Sequence, residues 1–147
     1  MGLPFELVQH TADLQIIVHG KTLTDLFKNA VIAMFQSIKP EAKNCTYNSD
    51  GLLQCTVLSI KRNVVVNAPT REDLLIDFLS QALYLCDVHN EVYLDVEIKQ
   101  FTENTITAML FGTKITGFEN EIKAVTYHDL NVQQKDGEWQ ANIVFDI

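Results

Sequence analysis

The sequence predicts an α+β domain in which two amphipathic helices pack on a mostly antiparallel β-sheet, and three observations predict it. Two segments carry apolar residues at helical spacing, each behind a Thr-x-x-Asp start. Several others alternate apolar and polar residues, as half-buried strands do. Strands and helices also depart from the strict βαβ order of parallel sheets.

Taken in order, Phe5 to Val8 and Leu14 to Val18 are short apolar runs of strand length, and Gly20 closes the second. Thr22 then starts a helix with Asp25 as its capping partner. Leu23, Leu26, Phe27, Ala30, Val31, Met34, Phe35 and Ile38 form one apolar stripe along it, which Pro40 ends. Glu41 to Leu53 is polar and turn-rich and reads as a loop. Cys55 to Asn67 is β-branched but interrupted at Lys61-Arg62-Asn63, so one long strand and a hairpin both remain open. Thr70 and Asp73 start the second helix, whose stripe runs from Leu74 to Cys86. Val92 to Ile98 alternates clearly, and Glu103-Asn104 turns into a strand from Thr105 to Phe111. Ile122 to Val132 alternates again. Lys135-Asp136-Gly137 is a strong turn signal before the strand of Trp139, Ala141, Ile143 and Phe145. The isolated Gly112 and Gly117 read as strand ends.

The chain has 147 residues, the size of one domain, here taken as residues 1–147, with 47% apolar and 20% charged residues. Its net charge of −8 opposes direct nucleic-acid binding, which draws its affinity from Lys and Arg. Cationic partners fit better: a metal ion, or a basic protein surface. Three cysteines without a CxxC motif read as thiols of a reducing compartment, with a Cys45–Cys55 disulfide the less favoured state. No run suits a signal peptide or a membrane span, so a cytoplasmic protein without membrane contact is expected.

The acids are placed unusually. Asp13 starts one strand, and Asp146 ends the last, with the terminal carboxylate on Ile147 one residue later. If those strands pair antiparallel, three carboxylates converge. Their repulsion would be relieved by raised pKa values or by a bound cation. All-oxygen ligands suit a hard cation such as calcium or magnesium, with manganese also compatible. The plainer reading makes Asp13 a turn cap and Asp146 a surface acid, and spacing alone favours it. His10 and His128 lie in the same segments and could ligate a metal or act as a base, although such histidines are commonly structural. Lys123 could balance the acids or meet an anion, and equally needs no role as an exposed strand lysine. No catalytic signature such as HExxH or GxSxG is present.

Three separated motifs nevertheless resemble the archease family. His10-Thr11-Ala12-Asp13-Leu14, followed by Gly20-Lys21-Thr22-Leu23 and the Phe27/Ala30/Met34-Phe35 helix, is similar to the family's opening. Glu121 to His128 resembles its second signature, and Trp139-x-Ala141-x-Ile143-Val144-Phe145-Asp146-Ile147 resembles its ending. The resemblance covers nearly the whole chain. It implies an accessory protein, not itself an enzyme, that activates an RtcB-type RNA ligase during tRNA splicing or RNA repair. Such activators promote ligase guanylylation and multiple turnover. The resemblance also implies a divalent metal held by Asp13, Asp146 and the Ile147 carboxylate, which reverses the preference for the plainer reading. Two departures stand out. Gln9 occupies a position where the family often has another acid, and Asn44 to Ser59 looks longer than in compact members. The alternatives are a chaperone or modulator of RNA-modifying enzymes, and a small metal-dependent hydrolase using His10 or His128 as base.

Overall fold

The computed structural model describes residues 2–9 and 13–147. Strands β1 (Phe5–Gln9) and β2 (Asp13–Gly20) lead into helix α1 (Leu23–Ser37). Short strands β3 (Pro40–Glu41), β4 (Cys45–Tyr47) and β5 (Leu53–Cys55) precede β6 (Ile60–Asn67) and helix α2 (Arg71–His89). The second half comprises β7 (Glu91–Phe101), β8 (Thr105–Lys114), β9 (Gly117–Phe118), β10 (Ala124–Lys135) and β11 (Glu138–Asp146).

Both helices begin where the capping residues place them. The Thr22 hydroxyl accepts from the Asp25 N–H at 3.1 Å, and the Thr70 hydroxyl accepts from the Asp73 N–H at 3.1 Å. Each satisfies a first-turn donor that the helix cannot pair internally. Helix α1 buries Leu26, Phe27, Ala30, Val31, Met34 and Phe35 on one side. Helix α2 ends at Asn90, which takes the left-handed conformation at φ 57°.

The fold is α+β, but its strands form two principal sheets instead of the expected one. The first has the order β1-β2-β11-β10 and the second β6-β8-β7, both antiparallel throughout. Alternation tells which face of a strand is buried, not which strand lies beside it, and so could not reveal the division. Helix α1 packs on β2 and β7, and α2 on β10 and β6, so each helix touches both sheets. Phe27 joins the helices and the second sheet, with ring centroids 4.9 Å from Phe101 and 6.2 Å from Phe78. The buried apolar residues of both sheets and both helices make one continuous core. Among the described residues no helix is long and apolar enough to cross a membrane.

Three further expectations need correction. The polar stretch read as a loop contains β3, β4 and β5, and Cys45 is bonded to Cys55. The Asn48 side-chain oxygen accepts from the N–H groups of Asp50 and Leu52 at 2.9 and 3.0 Å, and Gly51 adopts φ 78°. That Asx turn reverses the chain and brings the two cysteines face to face. Cys86 is buried in the core, as its place in the α2 stripe predicts. Gly112 does not end its strand but lies within β8, where Val92 and Tyr93 press against it.

Candidate metal centre at the β2–β11 strand ends

Along β2 the residues Leu14, Ile16 and Val18 point into the core, so Asp13, Gln15, Ile17 and His19 share the opposite face. Strand β11 runs antiparallel beside β2, and the register pairs Asp146 with Asp13, Val144 with Gln15 and Asn142 with Ile17. Directly opposed residues of an antiparallel pair project to the same side, with β-carbons about 5 Å apart. The two acids therefore occupy one end of one sheet face, as the strand argument anticipates. On its other side Asp146 pairs with Ala124, and its carbonyl accepts from the Lys123 N–H at 2.7 Å.

The carboxylates differ in setting. Asp146 is exposed, whereas Asp13 is half-buried. The Asp13 Oδ1 atom is buried without a hydrogen-bond partner among the described residues. A buried carboxylate oxygen without a donor is costly, and an ion is one of the few ways to satisfy it. Ile147 packs partly against the core one residue beyond Asp146. Two carboxylates on directly opposed residues, one with a buried oxygen unpartnered among the described residues, fit a hard divalent cation. Among the described residues no three His, Cys, Asp or Glu side chains gather at metal-ligand spacing.

The other predicted residues are placed differently. His10 lies outside the described residues. Lys123 reaches Asp146 through its backbone, and its side chain is exposed. His128 stands away from the acids in a bulge of β10, where its Nε2 lies 3.3 Å from the Asp129 carboxylate. The register jumps there from Thr126 opposite Val144 to Asn131 opposite Asn142, and Asp129 takes φ 52°. Looping out residues 127–130 ends the predicted alternation of this strand.

Two amides that the sequence reading passed over tie the bulge to the acidic face. Gln15 donates to the Asn142 side-chain oxygen, and Asn142 donates to the Asp129 carbonyl at 3.0 Å. A period-two reading would have found Gln15, two residues from Asp13 on the same strand. Nothing local marks Tyr127, whose hydroxyl donates to the Asp73 carboxylate at 2.6 Å and pins the bulge to the start of α2. The hydrogen bonds from Tyr127 and Thr70 hold the Asp73 carboxyl below its ordinary pKa. The bond to Asp73, then burial and the charges of Asp73 and Asp77, push the Tyr127 phenol up to about 12. The bridge therefore contributes stability at intermediate pH. The carboxyl's share is lost as pH falls through its lowered value, and the phenol's share as pH rises through about 12. In Tyr127→Phe, the Asp73 carboxyl should titrate closer to its ordinary value by NMR. An unchanged titration would mean that the bridge does not form in solution.

Two antiparallel sheets joined by two helices, with an acidic pair at the end of the two inner strands of one sheet, define an α+β domain. The Archease protein family model matches residues 5–147. Protein archease of Methanosarcina mazei is 33% identical, the match covering 99% of this chain and 97% of the relative. Protein archease of Thermoplasma acidophilum is 32% identical over 99% of this chain and 94% of its own. The solution structure of Methanobacterium thermoautotrophicum protein 1598 superposes with a TM-score of 0.71 at 26% identity, covering 98% of this chain and 99% of that one. An archease of Thermotoga maritima, described as a possible chaperone, shares the fold at a TM-score of 0.63 and 18% identity, over 100% of this chain and 98% of its own. The chain belongs to the archease family.

Proposed function

We propose that this protein is a cation-binding accessory factor that activates an RtcB-type RNA ligase, promoting its guanylylation and multiple turnover. The observation that carries the reading is Asp13 lying opposite Asp146 with one Asp13 oxygen buried and, among the described residues, unpartnered. Family membership and the net charge of −8 support it, since a ligase that grips RNA presents a basic groove to an acidic partner. Asp13, Asp146 and the Ile147 carboxylate would hold the ion, with calcium, magnesium and manganese all compatible with oxygen donors. A divalent cation held there would supply Lewis-acid charge to the partner's nucleotide chemistry. The protein's own residues shape that edge. The β2–β11 register fixes the spacing of the acids, and Lys123 anchors the last strand through its N–H. The Gln15–Asn142 pair braces the neighbouring bulge.

The test is multiple-turnover RNA ligation by the host's RtcB-type ligase with wild type or Asp146→Ala added. Stimulation by the wild type and none by a folded variant is the expected result. Equal stimulation by both would keep the partner and remove the acids from the mechanism. Stimulation by neither would favour the second reading, a chaperone or modulator of RNA-modifying enzymes; the Thermotoga maritima archease is described as a possible chaperone. That reading predicts suppression of client aggregation that survives loss of Asp13.

A further inference from the structure

We propose that the Cys45–Cys55 cross-link is a reversible redox latch that sets the mobility of the β4–β5 hairpin and the shape of the cleft beside it. The hairpin is a separate two-stranded sheet of three rungs, Cys45 opposite Cys55, Thr46 opposite Gln54 and Tyr47 opposite Leu53. Isolated pairs of strands are at best marginally stable in water. The Thr56 N–H donates to the Asn44 carbonyl, and the Asn48 N–H to that of Leu52. Cys45 and Cys55 are thus a non-hydrogen-bonded pair, the type whose side chains approach most closely, with their α-carbons 4.0 Å apart.

Both cysteines are partly exposed, so an attacking thiolate can reach the sulfurs. The noncovalent anchors sit at the other end of the hairpin. The buried Gln36 side chain donates to the Leu53 carbonyl at 3.0 Å and accepts from the Leu53 N–H at 2.9 Å, and the Tyr47 hydroxyl donates to the Pro40 carbonyl. The base of the hairpin has the cross-link and the Thr56–Asn44 contacts. Cys55 also lines a cleft of about 420 Å³ together with Gln36, Leu52, Leu58 and Leu94. Opening the bond therefore loosens the Cys55 end of that cleft's wall, while Leu53 stays tied to Gln36. The third cysteine stays out of the exchange. Cys86 is buried in the core, and burial, then the charges of Asp87 and Glu91, push its thiol up to about 12.

The reductant is a small dithiol carrier of the thioredoxin class. Its thiolate attacks one sulfur of the pair and forms a mixed disulfide, releasing the other cysteine as a thiolate that takes up a proton. The carrier's second thiol then displaces the bound cysteine and leaves as the carrier's disulfide. Two electrons and two protons have passed to Cys45 and Cys55. The oxidised carrier runs the same steps backwards.

Hydrogen exchange on the folded protein tests the latch, with thiols counted by mass spectrometry before and after treatment with a reduced dithiol carrier. We expect one free thiol before and three after. Exchange at residues 44–57 should quicken at least tenfold on reduction, with β2 and β11 unchanged. Oxidised carrier should restore the slow state. A bond that resists the carrier, three thiols that the oxidised carrier cannot close, or unchanged exchange after reduction would each overturn the proposal. The double substitution Cys45→Ser and Cys55→Ser should match the reduced protein and ignore the carrier. Should it fail to fold, the wild-type measurement decides alone.

Discussion

Glu91→Ala should cost about 3–5 kcal/mol of unfolding free energy, read by urea denaturation at neutral pH. Glu91 opens β7 and is fully buried. Its two carboxylate oxygens accept from Arg62 Nε at 3.0 Å and Nη2 at 2.9 Å, and Oε1 accepts from the Tyr93 hydroxyl at 2.8 Å. Lys114 Nζ lies 3.6 Å away. Burial pushes the Glu91 carboxyl pKa up, but the bonds from Arg62 and Tyr93 and the two positive charges outweigh it and leave the value lowered. The carboxylate stabilises the fold above the ordinary carboxyl range, and that contribution disappears as pH falls through the lowered value. Truncation strands a mostly covered guanidinium and a fully buried phenol without their acceptor. A loss below about 1 kcal/mol would show the cluster to be replaceable by water. The variant should also have a flatter decline of stability with acid, because the group that must be protonated is gone.

Gly112→Ala should cost about 3 kcal/mol for a different reason. A β-carbon there would stand 2.0 Å from the Val92 carbonyl oxygen and 2.7 Å from Tyr93 Cδ1. The oxygen belongs to the neighbouring strand and cannot rotate away as a side chain could. The two strands must separate where Tyr93 faces Gly112, on the strand where Tyr93 also holds Glu91. A fall in melting temperature of roughly 6–12 °C is expected for a chain of this size. A variant melting within about 2 °C of wild type would mean that β7 and β8 yield at that point without cost.

Local signals carried much of the architecture. Thr22 and Thr70 announce both helices because a cap and its partner lie three residues apart. The Lys135-Asp136-Gly137 turn joins β10 to β11 because Asp136 and Gly137 both adopt the positive φ that the turn requires. The placement of Asp13 against Asp146 could also be reasoned out, because a strand start and a strand end at one margin suffice. Long-range partnerships could not. Arg62 and Glu91 belong to strands separated by β8, and no spacing rule relates them. The Cys45–Cys55 bond depended on an Asx turn at Asn48 hidden in a polar stretch. The bulge in β10 was concealed because the residues around Tyr127 alternate well enough to pass for regular strand. It shows only once β11 fixes the register on either side.

The strand order β1-β2-β11-β10 has a consequence for how the molecule is made. Strands β6, β7 and β8 with α2 are contiguous in the chain, so that half can assemble while the rest is still being synthesised. Strand β2 emerges early, yet its second neighbour is β11, which follows all the other described elements in the chain. Until then β2 presents an unsatisfied inner edge, with only the short β1 to cover its other side. Nascent chains thus carry that open edge until β11 has emerged, and the acidic pair comes into being only with that strand.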